Sequence, residues 1–280
     1  MDITVGEDRV SFCPNDDFDL KRIFECGQCF RWNEEPDGAY TGVALGRAAR
    51  ISKRDGVISI SGSEEDFRTI WRSYFDLDRS YSAIRESLCI DDYMRCSTQF
   101  GAGIRILRQD RWEALCSFII SQCNNIPRIK GIVERLCGLY GEPMDFEGRV
   151  YYSFPPASKL AALTPEDLAP IRAGYRADYI IRAARDVDSG NIDMDELSEM
   201  DLEGARRALM KMRGVGKKVA DCVILFGLRI PTAFPMDTWM KKAVAEHYGK
   251  DFDPAIFGEY AGLAQQYMFY YQRENSKGVK

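Results

Sequence analysis

Near Arg111 the hydrophobic pattern changes period, and that change commits the chain to a fold built in two styles. Upstream, FRWNEEPDGAYTGVALGRAARISKRDGVISISGS alternates in short runs broken by Pro36-Asp37-Gly38 and Arg54-Asp55-Gly56. An Asp-Gly pair between alternating runs is a hairpin signal, because a tight turn needs residues that accept positive φ. Downstream, RWEALCSFIISQ is apolar over a length that suits a buried helix. Ile129, Ile132, Val133, Leu136, Cys137 and Tyr140 recur at three- and four-residue steps before Gly141. Thr164-Pro165-Glu166-Asp167 reads as a further helix start, with Thr as N-cap and Pro in the first turn. The expected fold is α+β and predominantly helical. An antiparallel sheet domain occupies 1–100, with a few helices after Ser63, and a helical body occupies 101–280.

Composition removes several function classes. The single His247 excludes multi-His metal sites and leaves one candidate for any Ser-His-Asp arrangement. Of nine cysteines, only Cys26 and Cys29 form a CxxC pair. No cysteine follows Cys222, so a C-terminal four-cysteine iron–sulfur cluster cannot form. No metal and no cofactor are expected. The start, MDITVGEDRV, lacks a basic n-region and an apolar h-region, and no run of ~18 apolar residues occurs. A cytoplasmic protein (nucleoid-associated in a prokaryote), without a signal peptide or a membrane contact, is the expectation.

The stretch from Asp201 to Gly249 carries the chemistry. Asp201 can cap a helix through LEGARRALMKM; Arg213-Gly214-Val215-Gly216 breaks it; Lys217 opens a second helix, KKVADCVILFGL. Two glycines separated by one residue let the turn expose consecutive backbone N–H groups, which together with a helix N-terminus can cradle a phosphate. Residues 201–250 hold ten Lys/Arg against five Asp/Glu, a net +5 in a chain of −5. A basic face on an acidic protein suits a polyanion. A tight αα turn with solvated lysines would account equally for the composition alone. Lys218 and Cys222 share a helix face, with Asp221 near it. Beyond Pro231 and Pro235, Asp237 precedes the helical TWMKKAVAEHYG and reads as its N-cap. A lysine and a fixed aspartate beside a phosphate cradle suit attack of an amine on an electrophilic carbon, with the carboxylate stabilising developing positive charge.

GVGKKVADCVILFGLRIPTAFPMDTW resembles the helix-hairpin-helix, Gly/Pro…Asp signature of base-excision DNA glycosylases, with the hairpin over 202–228. FECGQCFRW (24–32), SFIISQCNNIPRI (117–129), GYRADY (174–179) and EYAGLAQQYMF (259–269) resemble the 8-oxoguanine DNA glycosylase family. The resemblance implies an N-terminal TATA-binding-protein-like sheet and a helical body. It also implies an enzyme that binds duplex DNA containing oxidised guanine as a monomer and flips the lesion into a pocket. Lys218 would attack the sugar C1′, expel the base and leave a Schiff base, and β-elimination would nick the strand. Asp237 would stabilise the oxocarbenium-like transition state. The Gly27 carbonyl would accept from the N7–H of the lesion. Gln265 would read its Watson–Crick edge, and Phe269 and Cys222 would cover its two faces. Gly214, Val215, Gly216 and Lys217 would hold backbone phosphates. Arg128 and Arg176 would face the orphaned cytosine, Tyr175 would wedge beside it, and Asn124 and Asn125 lie in the same loop as Arg128.

Two positions depart from the family pattern. Cys123 stands where the family usually has an Asn that fills the void left by the flipped base. Trp239 stands where many members have a His near a phosphate, and its indole N–H donates one hydrogen bond without charge. Two rival readings remain open at this level. One is a non-catalytic helix-hairpin-helix DNA-binding module, and the other is a glycosylase for another damaged purine.

Overall fold

The computed structural model describes residues 2–14 and 16–277. Six strands form one antiparallel sheet: β1 (Ile3–Val5), β2 (Arg9–Phe12), β3 (Trp32–Glu34), β4 (Tyr40–Ala44), β5 (Arg47–Arg54) and β6 (Val57–Ser61). The spatial order is β1-β2-β6-β5-β4-β3. Both expected Asp-Gly turns are present, and at the β5–β6 turn Asp55 and Gly56 take φ of 49° and 82°. A third hairpin, β4–β5, turns on Leu45-Gly46 at 51° and 73°, with no Asp or Asn to advertise it. Register pairs Tyr40 with Ile51 and Ile51 with Ile60, so alternate residues line one buried face. Helix α1 (Leu20–Glu25) packs there, its Phe24 ring stacked 4.5 Å from Trp32.

From Arg111 the chain is mainly helical, as its period predicts. The helices that build the site are α2 (Arg111–Ile120), α3 (Ile126–Tyr140), α4 (Arg176–Asp188), α5 (Leu202–Leu209), α6 (Lys217–Phe226), α7 (Thr238–His247) and α8 (Ala261–Lys277). Helices α2, α3, α4 and α6 share one apolar core, where the Phe118 and Phe226 rings stack at 5.3 Å. Helices α7 and α8 build a second cluster with Tyr81, Met94 and Phe257.

Two features differ from the periodic reading. A hairpin, β7 (Pro143–Phe146) and β8 (Arg149–Tyr152), interrupts the helical body on a Glu147-Gly148 turn. The Thr164 segment does not open an α-helix. Thr164 and Asp167 exchange the hydrogen bonds of a capping box, but only a turn and the short 3-10 helix Ala169–Ile171 follow. Pro170 sits inside that helix and has no N–H with which to continue an α-helical ladder. Among the described residues, no helix is long and apolar enough to cross a membrane.

Candidate active site

The hairpin is shaped by its glycines. Gly214 takes φ of +85°, and a Cβ there would overlap the Tyr179 ring, so the chain passes that ring only as glycine. Val215 packs inward, and its N–H donates to the Met212 carbonyl at 3.1 Å. Gly216 is the N-cap of α6 and supplies no side-chain acceptor. The first N–H groups of α6 therefore lack a side-chain partner at its N-cap, beside the exposed Lys217. The two helices are locked by Arg206, whose Nε donates to Asp221 Oδ1 at 2.6 Å. Asp221 is 1% exposed. It belongs to the hairpin's interior rather than to the face of Lys218.

Lys218 lies half-buried one turn into α6, and its Nζ donates to Ser121 Oγ at 3.1 Å. The same ammonium stands 5.6 Å from the Phe118 ring centroid. Asp237 caps α7 as its position suggests, accepting from the Met240 N–H at 2.8 Å. Burial raises the Asp237 carboxyl above its ordinary range, and the charge on Lys218 and the Met240 N–H oppose that rise. Cys222, one turn beyond Lys218, is buried, and burial pushes its thiol up to about 11 against the nearby Lys218. It is thus a neutral, apolar surface. Trp239 sits half-buried in the first turn of α7.

Helix α8 carries Gln265 and Phe269 and packs against α6. Its Gly262 lets it approach α6: a Cβ there would overlap Leu225 and lie 2.8 Å from the Pro231 carbonyl. Gln265, 3% exposed, accepts from the Gln266 amide at 3.2 Å. Phe269 follows one turn later. Across from it, Gly27 takes φ of +87°, and a Cβ there would sit 3.3 Å from the Phe269 ring. The Gly27 loop is held by Gln28, which is fully buried. Gln28 donates to the Ile23 carbonyl at 2.9 Å and the Arg105 carbonyl at 2.7 Å, and accepts from the Leu107 N–H at 2.9 Å.

The second cluster lies on the loop between α2 and α3. Asn125 caps α3, accepting from the Arg128 N–H at 3.0 Å, and the Asn124 amide donates to the Ile120 carbonyl at 3.1 Å. Cys123 is exposed at φ of +46°, a conformation that Asn adopts more readily. Arg128 and Tyr175 are exposed and border one surface depression. Arg176 is turned inward and is 4% exposed. It donates to the carbonyls of Gln122 at 2.8 Å and of Ala173 and Cys123 at 3.2 Å, holding this loop in place. The structure therefore brings Lys218, Cys222 and Asp237 near one another and Gly27 against Phe269. It sets Arg128 and Tyr175 on an outer rim.

These elements coincide with known proteins. The family model of the 8-oxoguanine DNA glycosylase N-terminal domain matches residues 11–115. The N-glycosylase/DNA lyase of Saccharomyces cerevisiae is 31% identical over 255 residues, covering 82% of this chain and 68% of that protein. The Clostridium acetobutylicum 8-oxoguanine glycosylase/lyase, in complex with dsDNA containing cytosine opposite to 8-oxoG, superposes with a TM-score of 0.94. It is 37% identical, and the match covers 99% of both chains. MBOgg1, in complex with a low affinity DNA ligand, superposes with a TM-score of 0.93 at 44% identity, covering 99% of this chain and 100% of that one. The chain belongs to the 8-oxoguanine DNA glycosylase family.

Two residues of this family member escaped the sequence reading. Ser121 lies at the C-terminal cap of α2, and nothing local marks it as the partner of a lysine 97 positions away. Gln28 carried a signal: a lone amide within the apolar run around Phe24 and Phe30. A buried amide must find partners, and here its partners pin the Gly27 turn.

Proposed function

We propose that this chain is a bifunctional DNA glycosylase and AP lyase that excises 8-oxoguanine from duplex DNA, with cytosine opposite. It works as a cytoplasmic monomer, with a sheet domain over 1–100 and a glycosylase body over 101–280. The observation that carries the proposal is the amine of Lys218, tethered to Ser121 at 3.1 Å, with its charge acting on the half-buried Asp237.

The chemistry follows from those groups. The hairpin N–H groups and Lys217 grip phosphate and present the kinked duplex to the cleft. The flipped base enters between Phe269 and Cys222, with the Gly27 carbonyl meeting N7–H and Gln265 the Watson–Crick edge. The bond between C1′ and the base nitrogen breaks, and its electron pair leaves with the base. Asp237 stabilises the positive charge that develops on the sugar. Lys218, once its ammonium has given up one proton to solvent, supplies the electron pair for the new C1′–N bond, and it loses a second proton as the sugar ring opens to the imine. Loss of a C2′ proton then expels the 3′ phosphate and nicks the strand.

The test uses a labelled duplex with one 8-oxoguanine opposite cytosine, with borohydride added to reduce the imine. An adduct that requires both the lesion and Lys218 supports the proposal. Tight binding with neither adduct nor released base overturns it in favour of a DNA-binding module or another lesion.

A further inference from the structure

The face of α8 that carries Gln265 and Phe269 continues to Arg273, one further turn along. Arg273 is 9% exposed, and its guanidinium carbon stands 5.3 Å from the Phe269 ring centroid. Nη2 donates to the Glu25 carbonyl at 2.6 Å, which ties α8 to the residue at the end of α1, two positions before Gly27. Nε donates to Glu274 at 2.9 Å. Nη1 is buried and, among the described residues, has no hydrogen-bond partner. It lies 3.6 Å from the point that a Cβ on Gly27 would occupy, in the same space where that Cβ would meet Phe269. A buried cationic donor without an acceptor is costly, and it is retained where a ligand completes it.

The chemistry of the lesion supplies the missing acceptor. Guanine presents two acceptors on its major-groove edge, O6 and N7. 8-Oxoguanine instead presents an N7–H donor flanked on both sides by carbonyl oxygens. A site that offers a backbone carbonyl to N7–H and an adjacent N–H to a flanking oxygen matches that alternation. With guanine, the carbonyl would face the N7 lone pair. We propose that Arg273 is a specificity-determining residue of the base pocket. It braces the Gly27 turn through Glu25 and donates from Nη1 to a carbonyl oxygen of the flipped lesion beside N7. This inference rests on the function proposed above.

The test separates base reading from strand chemistry. Arg273→Met and Arg273→Lys are assayed in single turnover on a duplex with 8-oxoguanine opposite cytosine. In parallel, borohydride trapping is measured on a duplex with a preformed abasic site, which presents no base to read. Both variants should slow excision at least tenfold and trap the abasic site within twofold of the unaltered chain. Excision at the unaltered rate in both variants overturns the proposal. So does an equal loss on the two duplexes, because a general loss of packing would produce it. An unaltered chain that traps the abasic duplex but leaves 8-oxoguanine in place overturns the substrate assignment itself, and the Arg273 reading with it.

Discussion

The Lys218 ammonium is hydrogen-bonded to Ser121 at 3.1 Å, across a contact between helices that lie 97 residues apart in sequence. The bond fixes one end of a flexible side chain whose reach would otherwise be spread over many rotamers. Two losses of different size follow. Lys218→Gln removes the nucleophile, so borohydride trapping should vanish and excision should fall by at least about 10³-fold. Ser121→Ala removes only the tether. A neutral hydrogen bond is worth about 1 kcal/mol, so excision should slow by roughly fivefold with the adduct still formed. Single-turnover rates and trapping yields of the two variants check both. Equal losses would show that Ser121 does more than position the amine.

Gly27→Ala should be worse than its size suggests. The backbone at φ of +87° disfavours any L side chain, and the added methyl would stand 3.3 Å from Phe269. The strain costs about 1–2 kcal/mol, and relieving it moves the turn or the ring. Discrimination between 8-oxoguanine and undamaged duplex, measured by competition binding, should fall at least tenfold. Cleavage of a preformed abasic site should persist. Unchanged discrimination would mean that the turn is not part of the pocket.

The contrast between Ser121 and Asp237 shows what a chain discloses about itself. Asp237 was readable because a helix cap is local: an acidic residue after Pro235, before an amphipathic run, has one main use. The hairpin of Gly214 and Gly216 and the Asp-Gly turns of the sheet were readable for the same reason. Ser121 and Gln28 act through contacts whose partners lie far along the chain. The Leu45-Gly46 and Glu147-Gly148 turns lack the usual Asn or Asp in the first position, so their hairpins had no signal. At Thr164 the local signal was genuine, but Pro170 prevailed over it. Arg176 reads from its motif as a surface reader of DNA, yet its donors are spent on carbonyls of the neighbouring loop. The composition of an arginine does not say which way it points.

Asp237 ties pH to rate. Its carboxyl is raised by burial, with Lys218 and the backbone N–H groups of α7 working against the rise. The ionised form is the one that stabilises positive charge, so activity is lost as pH falls through the raised value. The acid limb of the single-turnover profile should lie above the ~3.9 of an ordinary aspartate. Stability runs the other way: a raised carboxyl contributes most below its unfolded value, and that contribution fades as pH rises. Asp237→Asn keeps a capping oxygen and removes the half-buried charge. It should slow excision at least about 100-fold while leaving the chain as stable or more stable at pH 7. A variant that loses stability at neutral pH would contradict this assignment of the cost.

Glu113 tests the junction between sheet and helical body. It lies in the first turn of α2 and meets Arg31, which precedes β3, at 3.8 Å. Burial pushes its carboxyl from 4.5 up to about 7, and the charge on Arg31 offsets only part of that. Arg31 itself is 5% exposed, and among the described residues its Nε and Nη1 lack hydrogen-bond partners, so the pair is poorly solvated on both sides. The folded state therefore holds a proton that the unfolded chain releases. Its contribution is full below pH 4.5 and is lost as pH rises to about 7. Denaturant midpoints of the unaltered chain should decline across that window from this group. Glu113→Gln should remove the decline, so its stability relative to the unaltered chain should rise from pH 5 to pH 8. Parallel pH profiles for the two proteins would place the titration elsewhere and leave Glu113 ionised in the fold.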